Sequence, residues 1–315
     1  MSQFQSQLAK LIEADQTLNE FNETLQQQGE AAAFWITIRQ SSEQSALQLS
    51  GGLLEATHYL TKNVYPYFAQ PLFVGATLFT SPRSPYLYYQ LDLERNNTLT
   101  RRFVSPYNYK QHAKLLIAED APVPSAQNNS DYIKYLSDTI YQLTKNADYQ
   151  TMILFNSLVM IEQVYSQLRE TDLFDQRDIL AQGITGNRDK ILKQFSGGKN
   201  SILLGASSFW EGIDLPDSAL ELLIITRLPF DSPDEIMNRA HNKLLQQQGK
   251  NPFYHSELPK ATMRLRQGIG RLLRTEDDHG VAVVLDPRLQ TRRYGKTILS
   301  SLPTDLPVSE KKTAE

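Results

Sequence analysis

Cysteine is absent from the 315-residue sequence. This absence excludes disulfides, thiolate zinc sites and cysteine-bound iron–sulfur clusters, and it suits a reducing compartment. The N-terminal stretch MSQFQSQLAKLIEADQ is polar. No segment reaches the run of about 18 apolar residues that a membrane-spanning helix needs. We therefore expect a soluble, cytoplasmic protein with no membrane partner.

A marked excess of charge is missing as well. The formal net charge is −3, and the five histidines are scattered along the chain. The composition as a whole does not indicate a nucleic-acid-binding protein, so any phosphate binding must come from local clusters. With 40% hydrophobic residues, 15 glycines and 15 prolines, the chain is expected to form one large or two ordinary globular domains.

The hydrophobic pattern changes near residue 100. Residues 1–30 have apolar residues at helical spacing and predict one or two solvent-facing helices. AFWITIR and ALQLS predict two short strands around the polar turn QSSEQS. A helix is expected at 53–65, followed by PLFVGATLFTS as a compact apolar strand that runs into Gly-Ala-Thr. The Pro- and Asn-rich stretch 81–97 predicts a linker.

Apolar strands then alternate with helices. The predicted strands are TMILF, DILAQG, SILLGA, LELLIIT and, as the last one, VAVVLD. The predicted helices are SDYIKYLSDTIYQLTKN, SLVMIEQVYSQLRE, NRDKILKQFS, a segment near 233–247, and RLRQGIGRLLR. Strands without polar alternation, separated by helices, predict an α/β fold with a parallel sheet covered on both faces. Chemistry in such sheets collects at the carboxyl ends of the strands. The tail after Pro303 is predicted to be disordered.

RLRQGIGRLLR, residues 264–274, predicts an amphipathic helix. One face carries Arg264, Gln267, Arg271 and Arg274, and the other carries Leu265, Ile269 and Leu272. Gly268 and Gly270 each cost about 1 kcal/mol relative to alanine, which close approach of a ligand or another domain would offset. The planar donors of glutamine and arginine suit phosphate oxygens. The alternative is an ordinary solvated basic face.

Four motifs in one order extend this interpretation. They are LFVGATLFTS, TMILFNSLVMIEQV, SILLGASSFWEGIDLPDSALELLIITRLPF and QGIGRLLR. The set resembles motifs III to VI of superfamily 2 helicases and, more narrowly, the DinG branch, which is related to the XPD helicases. The resemblance covers roughly residues 31–300.

The resemblance implies a domain division. Residues 98–302 would form the RecA-like second motor domain, with a disordered tail at 303–315. Residues 1–80 would be the end of an arch-like insertion and its return into the first motor domain, which ends with motif III. Residues 81–97 would be the linker between them.

The resemblance also implies an ATP site shared with a first motor domain. Arg274 is the candidate arginine finger, which would stabilise charge on the transferred phosphoryl group. Arg271 and Gln267 are expected to contact the γ-phosphate or the waters around it. Gly270 belongs to the same ATP-binding and coupling group.

The WEGID stretch is expected to belong to this ATP site as well. Glu211 and Asp214 would lie at the ribose and Mg²⁺ side or position the arginines, and Gly212 permits a tight turn. A cap of a helix or turn is the alternative for Asp214.

Motif III would couple hydrolysis to strand movement through Thr77. The family usually has serine where this sequence has Gly75, so one hydroxyl is missing there. A strand end made of small residues is the alternative for this segment.

Four polar residues are candidates for contact with a nucleic-acid strand. The amide of Asn156 and the hydroxyl of Ser157 can bind a phosphate, although a helix N-cap is at least as good an account of Ser157. Ser207 and Ser208 are expected to face the same strand. For Trp210 we favour packing in the core.

The sequence also lacks both first-domain motifs of such a motor. No G-x-x-x-x-G-K-S/T loop occurs, and no acidic box lies on an apolar strand. GGKNS at 197–201 predicts a turn instead, and EDDHG at 276–280 predicts a charged loop. No metal ligand is assigned within the chain.

We therefore expect the C-terminal half of a 5′-to-3′ DNA helicase that is inactive alone. Its partners would be single-stranded DNA and an N-terminal half that brings the phosphate loop and acidic box, and ATP and Mg²⁺ would bind only with that half. An iron–sulfur cluster is not expected. The alternative is a non-enzymatic RecA-like module that binds nucleic acid or a partner motor.

Overall fold

A computed structural model describes residues 9, 12–23, 32–40, 45–80, 85–124, 130–210 and 220–312. These residues group into two compact units. Unit 1 comprises 1–73, 85–98 and 231–256, and unit 2 comprises 74–84, 99–230 and 257–315. The two units differ from the expected domains in two ways. Residues 231–256, expected in the RecA-like domain 98–302, belong to unit 1. The Gly-Ala-Thr of motif III, expected in the first motor domain, belongs to unit 2.

The described strands and helices follow the expected alternation. The strands are β1 (Ala32–Gln40), β2 (Ser45–Leu53), β3 (Ala113–Ala118), β4 (Thr151–Phe155), β5 (Asp178–Ala181), β6 (Ser201–Ala206), β7 (Leu222–Ile225), β8 (Gly280–Val284) and β9 (Val308–Lys311). The helices are α1 (12–23), α2 (Thr57–Asn63), α3 (Tyr86–Gln90), α4 (Tyr109–His112), α5 (Ser130–Thr144), α6 (Leu158–Leu168), α7 (Leu173–Gln176), α8 (Arg188–Gly197), α9 (Ile236–Gln247), α10 (Leu258–Ile269), α11 (Arg288–Thr291) and α12 (Arg293–Leu299).

Unit 1 contains the hairpin expected from AFWITIR and ALQLS. β1 and β2 pair antiparallel, with Ala32 opposite Leu53. Helix α1 is exposed along nearly its whole length, as its polar composition predicts. Helix α9 packs against β1, and the side chain of Met237 lies close to Gly52 of the hairpin. The described part of the predicted linker 81–97 contains α3 and the 3₁₀ turn Arg95–Asn97.

Unit 2 is built on a seven-stranded parallel sheet in the order β5-β6-β4-β7-β8-β3-β9. Every residue of β4, β6 and β7 is buried. Successive strand residues point to opposite faces, so burial at every position means that both faces of the sheet are covered. Ile153 of β4 lies between Leu204 of β6 and Ile224 of β7 at the centre of the core. The predicted α/β parallel sheet is confirmed.

Strand β3 was not predicted. Five of the six residues of AKLLIA are apolar. The strand follows α4, whose N-cap Asn108 accepts a hydrogen bond from the Gln111 N–H. The exposed Lys114 and the short apolar run weaken the strand signal. Pairing with β8 on one side and β9 on the other makes the strand regular.

The prediction of a disordered tail is wrong up to residue 312. Leu302 and Leu306 are buried, and β9 pairs in parallel with β3, so VAVVLD is not the last strand. The Leu115 N–H also donates to the Pro307 carbonyl. Burial of the two leucines and hydrogen bonding to the edge of β3 stabilise an ordered segment here, despite its polar composition. Residues 313–315 lie outside the described residues.

The predicted strand in PLFVGATLFTS is also wrong. Residues 71–75 are irregular, and Leu72 and Val74 are exposed by more than four-fifths. A strand needs a neighbour to pair its backbone N–H and C=O groups. The described residues offer none here, because neither sheet includes this stretch.

The helix predicted for 264–274 ends earlier than expected. α10 stops at Ile269 with Gly270 as its C-cap, and the chain then tightens through hydrogen bonds from Arg271 N to Gly268 O and from Leu272 N to Ile269 O. Two glycines in the last turn lower helix propensity and favour such a stop. Arg271 and Arg274 therefore do not share a helical face with Gln267.

Two smaller expectations are confirmed. GGKNS forms a turn, because α8 ends at Gly197 with Gly198 as C-cap. The EDDH part of EDDHG forms a loop before β8, and Gly280 is the first residue of that strand. Among the helices in the described part of the chain, none is both long enough and apolar enough to cross a membrane.

Candidate functional site

Helix α10 supports the candidate site and packs its apolar face on the sheet. Leu265 and Ile269 are fully buried. A Cβ added to Gly268 would lie 3.6 Å from the Trp210 ring and 3.8 Å from Leu154, which is ordinary van der Waals contact. A Cβ would therefore fit at position 268, so the close approach that the sequence predicts for Gly268 is not observed among the described residues.

The side of α10 that carries Gln267 holds the motif III segment. Gln267 Nε2 donates to Thr77 Oγ1 at 2.8 Å, and Arg266 Nη1 donates to the Phe79 carbonyl at 2.9 Å. Gln267 Oε1 is buried without a hydrogen-bond partner. Burial, together with nearby Arg102, lowers the pKa of Arg266. The two predicted motifs therefore meet within unit 2.

Arg271 is a buried side chain, only 7% exposed. Its guanidinium donates to the carbonyl oxygens of Phe209 at 2.6 Å and Trp210 at 2.5 Å. These bonds fix the turn that follows β6. A contact of Arg271 with a γ-phosphate, as the sequence predicts, would require these bonds to be exchanged.

Arg274 has a different environment, since its backbone is fixed while its side chain is partly exposed. Its N–H donates to the Asp278 carboxylate at 2.7 Å, and its carbonyl accepts the Tyr107 hydroxyl at 2.5 Å. Asp278 also accepts the Thr275 N–H at 2.8 Å. Burial acts to raise the pKa of Asp278, but these backbone hydrogen bonds hold its pKa below the ordinary value.

Asn156 and Ser157 follow β4 at the carboxyl end of the sheet. Asn156 Nδ2 donates to the carbonyls of Leu228 at 3.0 Å and Phe230 at 3.5 Å. Ser157 is the N-cap of α6 and accepts the Met160 N–H at 3.3 Å. The capping alternative for Ser157 is the one observed. The Asn156 amide nitrogen and the Ser157 hydroxyl have partners inside the protein, whereas Asn156 Oδ1 is buried without one.

The turn after β6 holds the other polar candidates. Ser208 is exposed and accepts a hydrogen bond from Gln182 Nε2 at 3.3 Å. Ser207 lies in the 3₁₀ turn Ser207–Phe209, and its side chain lies outside the described residues. Trp210 is 3% exposed and donates from Nε1 to the Phe155 carbonyl at 3.0 Å, which confirms its packing role.

Three of the predicted ATP-site residues cannot be placed. Glu211, Gly212 and Asp214 fall in 211–219, outside the described residues. In the ranges that are described, no three side chains of His, Asp or Glu come together as a metal site would require.

The sequence interpretation missed a polar cluster at the ends of β7 and β8. Asp286 is fully buried and accepts the Leu228 N–H at 2.8 Å and the Arg288 side chain at 2.7 Å. Burial alone would lower the pKa of Arg288, but Asp286 more than offsets it, so the pKa is raised. Arg227 lies over the Tyr132 ring, 4.4 Å from its centroid. The available signal was an arginine within four residues of the end of two apolar strands, in IITRLPF and VVLDPR.

The comparison with protein families agrees with this fold. The helicase C-terminal domain family matches residues 140–305, which is more than half of the chain. The chain belongs to this helicase family. Its parallel sheet is accordingly the RecA-like sheet of helicase C-terminal domains.

Several relatives carry a similar helicase region. The "3'-5' exonuclease DinG" of Bacillus subtilis is 32% identical over 273 residues, which cover 86% of this chain and 29% of the relative. The "ATP-dependent DNA helicase DinG" of Photobacterium profundum is 34% identical over 79% of this chain and 36% of its own length. The "ATP-dependent DNA helicase YoaA" of Escherichia coli is 33% identical over 74% of this chain and 35% of its own length. The chain thus spans about a third of these relatives.

A solved XPD helicase structure shares the helicase fold of this chain. It superposes with a TM-score of 0.62 at 18% identity, over 84% of this chain and 46% of that one. At this identity the likeness establishes the fold, and the function rests on other grounds.

Proposed function

We propose that this chain is the C-terminal half of an ATP-dependent DNA helicase that moves 5′ to 3′ on single-stranded DNA. The observation that carries the proposal is Arg274, whose N–H and carbonyl are both held by side chains while its own side chain remains partly exposed. A fixed backbone and a partly exposed side chain are what an arginine finger needs.

The division of labour between the two halves follows from the residues present. ATP supplies the phosphoryl group whose transfer to water releases the free energy for movement. Arg274 would stabilise the developing negative charge on that group, while Gln267 and Thr77 would couple the site to the motif III segment. The phosphate loop and the Mg²⁺ carboxylates would come from an N-terminal half, since no phosphate-loop sequence occurs in this chain. We propose that the chain alone is inactive.

Single-stranded DNA is proposed to cross the carboxyl edge of the unit 2 sheet. Asn156, Ser157, Ser207 and Ser208 all follow strands at this edge. Of the candidates whose side chains are described, Ser208 is exposed. Asn156 and Ser157 would act chiefly by shaping the loop after β4.

The first experiment measures ATP hydrolysis with and without single-stranded DNA. The chain is assayed alone and mixed with a polypeptide that carries the phosphate loop and acidic box of a DinG-type first motor domain. DNA-stimulated hydrolysis only in the mixture supports a two-part motor. Hydrolysis by the chain alone contradicts the division of labour, and inactivity of a mixture that forms a stable complex contradicts the helicase proposal.

A non-enzymatic RecA-like module that binds nucleic acid or a partner motor is the second candidate. It is favoured by the internal hydrogen bonds of Arg271 and Gln267, which occupy two of the three predicted phosphate contacts. It would show DNA binding or partner binding with no ATP hydrolysis in any mixture. The Arg274 geometry favours the helicase, because a binding module does not need that arrangement.

A further inference from the structure

The loop that leads from Arg274 into β8 is stabilised first by its own residues. We call residues 274–279 the finger loop. Within it, the Asp278 carboxylate accepts the N–H groups of Arg274 and Thr275 at 2.7 and 2.8 Å. Asp278 is buried, so water competes little for these two hydrogen bonds and the turn is a compact unit.

Tyr107 makes the first contact from another segment with the finger loop. Its hydroxyl donates to the Arg274 carbonyl at 2.5 Å, across 167 positions of the chain. The Arg274 N–H is bound to Asp278 at the same time. Because both peptide groups that flank the Arg274 Cα are bound, the direction of its Cα–Cβ bond is fixed.

His112 makes the second contact, and the register of the sheet explains it. β3 and β8 pair in parallel, beginning with Ala113 opposite Gly280. The residues immediately before this pair are His112 and His279, and their rings stack with centroids 4.2 Å apart and planes 18° apart. His279 is the last residue of the finger loop. The loop is therefore held at both of its ends.

The segment that makes both contacts is itself anchored to the sheet. We call residues 107–112, which include α4, the α4 brace. Tyr109 is buried, Asn108 caps α4, and the brace runs directly into β3. β3 is hydrogen-bonded on both sides, to β8 and β9. A segment fixed in this way can hold a loop in one position.

We propose that Tyr107 and His112 are positioning residues for Arg274. The α4 brace holds the finger loop so that the Arg274 guanidinium meets the transferred phosphoryl group. This inference rests on the proposed function and adds to it the residues that place the arginine finger. A catalytic group displaced by about 1 Å loses much of its effect on the rate. Loosening the brace should therefore slow the chemical step and leave the binding of ATP and DNA unchanged.

The test uses the completed motor, in which the full chain is mixed with a polypeptide that carries the phosphate loop and acidic box, at saturating single-stranded DNA. Tyr107→Phe is expected to lower kcat for ATP hydrolysis about fivefold, the share of one neutral hydrogen bond, with KM for ATP within about twofold. Tyr141→Phe is the matched control, because it removes a hydroxyl of α5 that donates to Asp172 at 2.9 Å. It should leave kcat unchanged.

The stacking contact is tested in the same assay. His112→Ala is expected to lower kcat about threefold, because the loop loses the ring that holds its far end. His112→Phe keeps a flat ring against His279 and should recover most of the loss. These two variants also serve if Tyr107→Phe fails to fold. Equal losses in His112→Ala and His112→Phe would contradict a stacking role.

A double-mutant cycle separates positioning of Arg274 from a general loss of structure. In the Arg274→Ala background, Tyr107→Phe should change single-turnover hydrolysis by less than about twofold, because the group that it positions is already gone. A further loss of about fivefold in that background would overturn the proposal, since the hydroxyl would then act on something other than Arg274.

Hydrogen–deuterium exchange of the chain alone tests the brace without any partner. The amides of the finger loop are expected to exchange at least about threefold faster in Tyr107→Phe and His112→Ala than in the unaltered chain, while those of β4 stay unchanged. Equal exchange rates in the finger loop would mean that the brace does not hold it, and would overturn the proposal.

The assays also distinguish this inference from the proposed function. If the completed motor is active and Tyr107→Phe has the same kcat as the unaltered chain, the positioning role is wrong and the helicase proposal stands. If the unaltered chains form a stable complex that does not hydrolyse ATP, the proposed function is contradicted, and the role of the α4 brace is contradicted with it.

Discussion

Gln267 of α10 donates a hydrogen bond from Nε2 to Thr77 Oγ1 at 2.8 Å, although the two residues are 190 positions apart in the chain. The other amide atom, Gln267 Oε1, is buried without a partner. Thr77 is thus the hydrogen-bond partner on which the Gln267 amide depends. The contact links two motifs that the sequence places at opposite ends of the helicase region.

Thr77→Val is expected to destabilise the chain by about 1–2 kcal/mol, because a buried amide then loses its acceptor. Urea unfolding measures this change. Thr77→Ser keeps the hydroxyl and should recover most of the loss. If Thr77→Val and Thr77→Ser behave alike, the hydrogen bond does not stabilise the segment. Adding Gln267→Leu to Thr77→Val should restore stability, since both polar partners are then removed, while coupling in the completed motor stays lost.

Arg274→Ala is expected to lower ATP hydrolysis of the completed motor by roughly 10³-fold or more, as loss of an arginine finger does. Steady-state hydrolysis at saturating single-stranded DNA measures this. DNA affinity should stay within about twofold, and the melting temperature should change little because the Arg274 anchoring bonds use its backbone. Joint loss of hydrolysis and DNA affinity would instead place Arg274 in the DNA path or the core.

Arg271→Ala is expected to act mainly on stability. It removes two hydrogen bonds from a buried guanidinium to the Phe209 and Trp210 carbonyls. A loss of about 2–3 kcal/mol lowers the melting temperature by roughly 4–10 °C for a domain of this size. Thermal melts of Arg271→Ala and Arg274→Ala, run side by side, separate the two roles. Equal melting temperatures would contradict the structural role of Arg271.

Asp278→Asn is expected to destabilise the chain by about 1 kcal/mol at neutral pH, the usual size of a capping interaction. The pKa of Asp278 is lowered in the folded state, so its stabilising effect is full above the unfolded pKa of about 3.9 and is lost as the pH falls through the folded value. The gap between wild type and variant should therefore close below about pH 4. Urea titrations across pH test this, with exposed Asp277→Asn as control. A gap independent of pH would contradict the carboxylate role.

Leu306→Ala is expected to cost about 2–3 kcal/mol, because Leu306 is 6% exposed beneath the chain leading into β9. Val308→Ala, at a 45% exposed position in β9, should cost less than about 1 kcal/mol. Thermal melts of the two variants measure the difference. Equal, negligible effects would mean that this tail does not pack on β3.

The parallel sheet was predictable because its signal is local. β4, β6 and β7 are runs of apolar residues flanked by helical patterns, and burial on both faces requires no knowledge of the neighbours. β3 and β9 were not predictable, since each is short or polar. β9 becomes a strand by pairing with β3, and β3 by pairing with β8 and β9.

For the candidate site, too, some features were predictable from the sequence and others depended on tertiary contacts. The sequence by itself determined the helicase family, because the ordered set of local motifs that carries the resemblance lies in the sequence. It also singled out Arg274, Arg271 and Gln267 as candidates. Only the tertiary structure decided that Arg271 is buried on two carbonyls, that Gln267 holds Thr77, and that Arg227 lies over Tyr132. The partners in these contacts are tens to nearly two hundred residues apart, and folding alone brings them into contact.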